Sequence, residues 1–188
     1  MPGRSSGSPP GKADGAEIRF SEVTRSTRAD FENLFEQPGG PKYCWCTAWR
    51  NLPSREHVPK RAITSLIEAD TPVGIIAHVE GKTVGWCSVA PRETYRRLSR
   101  QQDDSETGVW SIVCFYVPRT LRGGGLASAL LDAAINHAFA KGASTIEAYP
   151  VDQASPSYRF MGFRDMFAAR GFHTGMAGSR RHVMRLER

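Results

Sequence analysis

The sequence predicts a mixed α/β domain, one sheet layer covered by helices on both faces. Three observations carry that reading. Two apolar, β-branched runs, 73–80 and 83–89, are separated only by Gly81-Lys82 and read as an antiparallel hairpin. The run 109–117 (VWSIVCFYV) is the strongest strand former in the chain. A glycine-rich loop then leads into 126–140, where Leu126, Leu130, Ala134 and Ala138 recur at helical spacing before Gly142, a C-terminal cap.

The remaining elements follow in order. Residues 1–15 are rich in Gly, Ser and Pro and carry almost no large apolar side chain, so they predict a disordered tail. Residues 18–23 alternate as a short strand does. Residues 27–37, with Phe31, Leu34 and Phe35, have helical spacing and stop at Pro38-Gly39-Gly40. After Tyr43-Cys-Trp-Cys-Thr-Ala-Trp49 a second helix is expected over about 55–69, ended by Asp70-Thr-Pro72. Residues 92–102 read as a short basic helix or loop, 144–149 as a strand, 164–170 as a short helix, and 182–186 as a closing strand. No internal repeat interrupts the series, and 16–188 forms one domain.

Composition bounds the function classes. The chain has 188 residues, 40% hydrophobic and 23% charged, which excludes mainly disordered, collagenous or coiled-coil architectures. No apolar run approaches the roughly 20 residues that span a bilayer, and the N-terminus lacks the apolar stretch of a secretory signal. The expectation is a soluble cytoplasmic protein without a membrane partner. The net charge of +6 is concentrated at the end, where seven Arg from Arg159 to Arg188 face only Asp165 and Glu187. Twenty of the 25 basic residues are Arg, whose planar fork of donors suits phosphate or carboxylate, and this Arg-rich composition hints at a bacterial source with a GC-rich genome. The basic segment contains no recognition-helix motif or aromatic platform, so nucleic acid is not the expected partner. Cys44, Cys46, Cys87 and Cys114 form neither a disulfide framework nor a four-ligand zinc spacing. They are expected to be reduced thiols, with Cys87 and Cys114 buried as small hydrophobes and no metal bound.

The chemistry concentrates in Arg119-Thr-Leu-Arg122-Gly-Gly-Gly125-Leu-Ala127-Ser128. Three consecutive glycines let an anion approach the backbone N–H groups, and the helix that follows adds its unpaired N–H donors and positive dipole end. Together they make a pyrophosphate cradle. The loop lacks the Lys of a P-loop and the spacing of a dinucleotide fingerprint, which disfavours nucleotide hydrolysis and hydride transfer.

These residues resemble the GNAT superfamily of N-acetyltransferases. Arg122-Gly-Gly-Gly125-Leu-Ala127 matches its R/Q-x-x-G-x-G/A acyl-CoA signature. The likeness extends through the CFYV strand end, the helix after the loop, the next strand, and Met166-Phe-Ala-Ala-Arg-Gly171-Phe172, covering about residues 73–186. The resemblance implies a GNAT-like acyl-CoA N-acyltransferase fold with a mostly antiparallel central sheet. Acetyl-CoA is the implied cosubstrate. The backbone of Phe115, Tyr116 and Val117 should pair with its pantetheine arm, and the amides of Arg122, Gly123, Gly124, Gly125, Leu126, Ala127 and Ser128 should hold its pyrophosphate.

The implied reaction is direct attack of a primary amine on the thioester in a ternary complex, with the Val117 N–H as expected oxyanion donor. Phe167 stands where many relatives carry a proton-donating Tyr, so Tyr149, Tyr158 and Ser157 become the candidate acids and Glu147 the candidate base. The competing reading of Glu147 is that it points to solvent or pairs with an Arg of the C-terminal segment. Trp45 and Trp49, with Tyr43, either line the acceptor pocket or belong to the core, and Arg92 and Glu93 are alternative pocket charges. The acceptor is an amine of a small molecule or protein, and a homodimer is compatible with the sequence. The alternative function is an acyl-CoA-binding regulatory module without turnover, which Phe167 keeps open.

Overall fold

Backbone pairing gathers the strands of this computed structural model into one mixed sheet, and the structure describes residues 11–13, 16–52, 58–96, 98, 103, 105–174 and 183–188. Strands β1 (Gly11–Ala13) and β2 (Ala16–Glu22) precede helices α1 (Arg28–Glu36) and α2 (Pro59–Glu68). The hairpin β3 (Ile75–Val79) and β4 (Lys82–Pro91) leads to β5 (Val109–Tyr116) and helix α3 (Leu126–Ala140). Then come β6 (Thr145–Ala148), α4 (Arg164–Ala168), β7 (His173–Thr174) and β8 (Met184–Glu187). The sheet order is β1-β2-β3-β4-β5-β6-β8-β7. Among the described residues, β5 and β6 are the only parallel pair, and α3 is their crossover.

The sheet separates two apolar cores. On one face Ile112, Phe115 and Val117 meet Leu126, Leu130 and Ala134 of α3 and Phe167 of α4. On the other, Val113, Cys114 and Tyr116 meet Phe31, Leu34 and Phe35 of α1 and Ile63 and Ile67 of α2. Phe35 stacks on Trp45 at 5.1 Å between ring centroids and meets Trp86 edge-on at 5.2 Å, placing the bulkiest side chains over the middle of the sheet. Two successive β5 residues face the same core because the register slips: Ser88 opposes Cys114 while Val89 opposes Ile112, leaving Val113 as the extra residue of a β-bulge.

The turn between α1 and α2 is fastened by a buried cation. Arg50 donates through Nη2 to the Val73 carbonyl at 2.6 Å and through Nη1 to Thr94 Oγ1 at 2.9 Å, with its guanidinium 4.1 Å above the Tyr95 ring. Burial pushes the Arg50 pKa down and raises that of Tyr95 to about 12.

Several expectations are corrected here. Gly11–Ala13 pairs with β2 inside the span expected to be a tail, because edge pairing uses backbone groups and needs no large side chain; residues 1–10 and 14–15 lie outside the described residues. The second helix starts at Pro59, a favoured first helical position, and residues 55–57 of the expected span are not among those described. Of the two places open to Trp45 and Trp49 the structure gives the core: the chain turns through left-handed conformations at Trp45 (φ 45°) and Cys46 (φ 48°), burying both rings while Tyr43 stays exposed.

That turn also brings thiols together. Cys46 Sγ lies 3.0 Å from Cys114 Sγ on β5, and the Cys46 N–H donates to Cys44 Sγ at 3.4 Å. Hydrogen bonding to Cys114, followed by burial, pushes the Cys46 thiol pKa up; burial does the same to Cys87. Cys46, Cys87 and Cys114 are buried, whereas Cys44 is partly exposed. A thiol reagent should therefore modify no more than one cysteine in the native protein and all four after denaturation, as read by mass spectrometry.

Candidate cofactor site

The site begins where two parallel strands part. Pairing of β5 with β6 runs from Val109 opposite Thr145 to Ile112 opposite Ala148. Beyond that point β5 continues to Tyr116 along β4 alone, so its other edge presents backbone donors and acceptors to a wedge-shaped opening. The bulge at Val113 falls at the inner end of this wedge and increases the local twist that drives the strands apart.

The wedge widens into a cleft of about 580 Å³. Its floor is Phe115 and Val117. One wall is Leu121 to Ser128; the other is formed by Pro156, Arg159, Phe160, Gly162, Phe163 and Met166. On the first wall Gly123 (φ +88°) and Gly125 (φ +78°) hold backbone conformations that disfavour other residues. A Cβ at either position would meet nothing within 4 Å, so the loop borders open space. Helix α3 has no side-chain cap, which leaves the first N–H groups, those of Leu126, Ala127 and Ser128, available to a ligand. The Arg122 Nε donates to the Val117 carbonyl at 3.0 Å and ties the loop to the strand end.

The second wall folds back against β5 through close contacts. The Val151 N–H donates to the Gly162 carbonyl at 3.0 Å and the Arg164 N–H to the Val151 carbonyl at 3.1 Å. A Cβ on Gly162 would lie 2.8 Å from Phe167 Cε2 and 2.9 Å from Met166 Cε, so a bare backbone is required there. Phe167 is fully buried, edge-on to Phe172 at 5.2 Å. Sequence reasoning reached Arg159 only as the first of the C-terminal Arg excess and did not single out Pro156, Phe160, Gly162 and Phe163, for which the available signal was Gly162 set among aromatics.

The four candidate acid–base residues divide into two places, Glu147 and Tyr149 in one and the exposed Ser157 with Tyr158 in the other. Glu147 and Tyr149 share a buried network under the inner end of the wedge. Arg92 donates to Glu147 Oε1 at 3.1 Å and the Tyr149 hydroxyl to Glu147 Oε2 at 2.8 Å. The Ser111 and Tyr149 hydroxyls are 3.4 Å apart. Arg185 Nη1, from the C-terminal strand, lies 3.9 Å from Glu147 Oε1. Burial, then the Glu147 charge, pushes the Tyr149 pKa far up, so the phenol stays protonated. Arg92 is thus buried beneath the site, while Glu93 is exposed. Tyr158 stands elsewhere, about half exposed, its ring 6.1 Å from Trp49 and 5.9 Å from Phe160 on the cleft wall.

The C-terminal Arg excess also resolves by position. Arg164, Arg170 and Arg185 are engaged by Asp152, Asp132 and Glu106, whereas Arg159 lines the cleft; Arg180 and Arg181 lie outside the described residues. Among the described residues no cluster of three or more His, Cys, Asp or Glu could hold a metal, and no helix is long and apolar enough to cross a membrane.

Open space above left-handed glycines, an uncapped helix start and an unpaired strand edge suit a ligand with an anionic head and an amide-bearing arm. The fold and cleft define an α/β domain with a phosphate cradle at a strand-to-helix turn, and the sequence profile of the Acetyltransferase (GNAT) family matches residues 25–163. The chain belongs to that family.

Solved structures share the fold at low sequence identity. An acetyltransferase of the GNAT family from Listeria monocytogenes superposes with a TM-score of 0.59 at 13% identity, covering 95% of this chain and 99% of that one. A GNAT family acetyltransferase from Brucella melitensis, in complex with acetyl-CoA, gives 0.52 at 10% identity over 90% of this chain and 87% of that one. The PaiA N-acetyltransferase from Thermoplasma acidophilum, in complex with coenzyme A, gives 0.54 at 12% identity over 91% and 99%. A comparison with curated proteins found no match.

The buried pair yields a stability prediction. Replacing Glu147 with Gln removes the buried carboxylate of Arg92 and leaves the guanidinium with the partly exposed Glu106 as its carboxylate partner. It should lower unfolding stability by about 3 kcal/mol in urea titrations.

Proposed function

We propose that the protein is an acetyl-CoA-dependent N-acetyltransferase that passes an acetyl group to a primary amine of a small molecule or protein by direct attack in a ternary complex. The observation that carries this reading is the continuity of the unpaired β5 edge with the glycine loop and the uncapped start of α3. Membership of the GNAT family supports it, as does the likeness to folds whose structures contain acetyl-CoA or coenzyme A.

In this reading the backbone of Phe115, Tyr116 and Val117 bonds the pantetheine arm as a neighbouring strand would. The amides of Arg122, Gly123, Gly124, Gly125, Leu126, Ala127 and Ser128 bind the pyrophosphate, helped by the α3 dipole. Val117 adjoins the phosphate end of the cleft, so the thioester end belongs at the inner end of the wedge. The bulged backbone near Val113 is then better placed than Val117 to stabilise the oxyanion. Tyr149 follows the last β6 residue at that same end, and its hydroxyl can accept the amine proton while passing its own to Glu147 Oε2. Tyr158, beside Phe160 at the cleft wall, is assigned protonation of the departing thiolate.

Acetyl-CoA should raise the melting temperature, and free thiol should be released with one or more members of a panel of amino acids, polyamines, aminoglycosides and peptides. A panel-wide failure to release thiol despite a melting shift would favour a binding module without turnover. Gly125→Val, which imposes a β-branched residue at φ +78° and fills the cradle, should abolish the shift. Tyr149→Phe removes the relay hydroxyl and spares the Glu147–Arg92 pair. It should reduce kcat on the order of a hundredfold, with little change in KM for acetyl-CoA.

A further inference from the structure

The turn between α1 and α2 meets β5 at a pair of thiols that the acetyl-transfer chemistry does not use. Cys46 Sγ lies 3.0 Å from Cys114 Sγ, 68 residues along the chain, and both side chains are buried. Cys46 reaches that position because Trp45 (φ 45°) and Cys46 (φ 48°) adopt the left-handed region in succession, a conformation that residues other than glycine disfavour. Packing holds this strain, and the strain aims a thiol at a thiol. Cys44, the partly exposed member, accepts the Cys46 N–H at 3.4 Å and so lies against the pair. Arg50 adds charge. Its partners are the Pro72 and Val73 carbonyls, the Thr94 and Ser88 hydroxyls and the Tyr95 ring, all neutral, and its Nε is buried without an acceptor among the described residues. Ser88 stands opposite Cys114 in the β4–β5 register, which brings this uncompensated cation close to the thiols. Hydrogen bonding to Cys114, with burial, pushes the Cys46 pKa up, and the Arg50 charge opposes that rise.

Two thiols at this separation need to close by only about 1 Å to reach the bonding distance of a disulfide. We infer that Cys46 and Cys114 are an oxidisable pair that closes to a disulfide when a hydroperoxide reacts at Cys44, stapling the α1–α2 turn to β5 one residue from Phe115 on the cleft floor. The Cys44 thiol first takes an oxygen from the hydroperoxide and becomes a sulfenic acid, releasing the reduced peroxide as water or an alcohol. The Cys46 sulfur displaces the hydroxyl as water and forms a Cys44–Cys46 disulfide. The Cys114 sulfur then attacks Cys46, and Cys44 leaves as a thiolate that takes up the proton Cys114 gives away. In sum, two thiols and one hydroperoxide give one disulfide, one water and the reduced peroxide, with Cys44 returned as a thiol. Hydrogen bonding with the Cys46 side chain, then burial, also raises the Cys44 pKa, so few thiolates exist at neutral pH and the pair answers sustained rather than brief exposure to peroxide. The inference stands apart from the acetyl-CoA reading of the cleft.

The test exposes the reduced full chain to hydrogen peroxide, then unfolds it in urea with iodoacetamide and no reductant, and maps the cysteines by mass spectrometry. Untreated protein should take up four alkyl groups, one on each cysteine. Treated protein should be alkylated at Cys44 and Cys87 alone, with the Cys46 and Cys114 peptides joined, and dithiothreitol should restore all four sites. Closing so long a loop should raise the melting temperature by roughly 5 °C or more. Cys44→Ser should slow formation of the bond by about tenfold or more, because both partners are then buried from the oxidant. Cys114→Ser should stop the sequence at a Cys44–Cys46 bond, while Cys87→Ser should behave as the wild type. Treated wild-type protein that still takes up four alkyl groups would overturn the inference, as would a final Cys44–Cys46 bond or chains joined to one another through Cys44. An unchanged rate in Cys44→Ser would overturn the route through that residue, and an unchanged melting temperature on oxidation would overturn the staple. The melting temperature of each reduced variant verifies its fold before treatment.

Discussion

The parting of β5 from β6 after Ile112 is the constraint on which the rest of the structure depends. A parallel pair that stayed zipped to Val117 would bury the edge groups in a ladder and leave the glycine loop facing a closed sheet. Instead, one extra residue in β5 at Val113 adds twist where pairing ends, and the α3 crossover begins on the far side of the gap. The cavity thus follows from an incomplete sheet. Its floor is a strand edge, its head is a helix terminus, and neither requires a specialised side chain.

An incomplete sheet needs reinforcement behind the gap, and the charged cluster beneath the inner end provides it. Glu147 of β6 receives Arg92 from just after β4 and lies 3.9 Å from Arg185 of β8, so its carboxylate ties the end of β4 and β8 to β6. Glu106 joins the same cations from the connection before β5. Buried ion pairs are a weak source of net stability, but breaking one is costly, which makes such a cluster a device for holding register. The strands are fixed where they meet and free where they diverge.

The loop from Arg119 to Ser128 was legible in the sequence because its signals are local: glycines at turn positions, a strong strand before them and helical spacing after. The opposite wall was not. Residues 151–163 carry no periodicity, and they become a wall only by folding back on β5, where Gly162 approaches the ring of the sequence-distant Phe115. The identity of Arg92 as the partner of Glu147 was hidden for a related reason, since it depends on strand register across 55 residues. Trp45 and Trp49 belong to the core, one of the two places the sequence left open, and the two successive left-handed residues that turn them inward leave no mark in composition or spacing. Phe167 fits its surroundings without a hydroxyl, enclosed by Phe115 and Phe172 in an apolar core.

The Arg50 clamp gives the two sides of the wedge unequal stiffness. Its guanidinium locks the turn between α1 and α2 to the start of β3 and to Ser88 on β4, so that turn and the β3–β4 hairpin behave as one unit. The opposite side, residues 151–163, joins no strand of the sheet, and among the described residues it is held by the Val151–Phe163 bridge, backbone bonds, the Arg164–Asp152 pair, the Tyr158–Trp49 ring contact and the buried Met161. Compliance in the molecule is therefore one-sided. A bulky ligand head entering the cleft would displace the 151–163 side, while the β5 floor keeps its shape and holds the bonding pattern it presents.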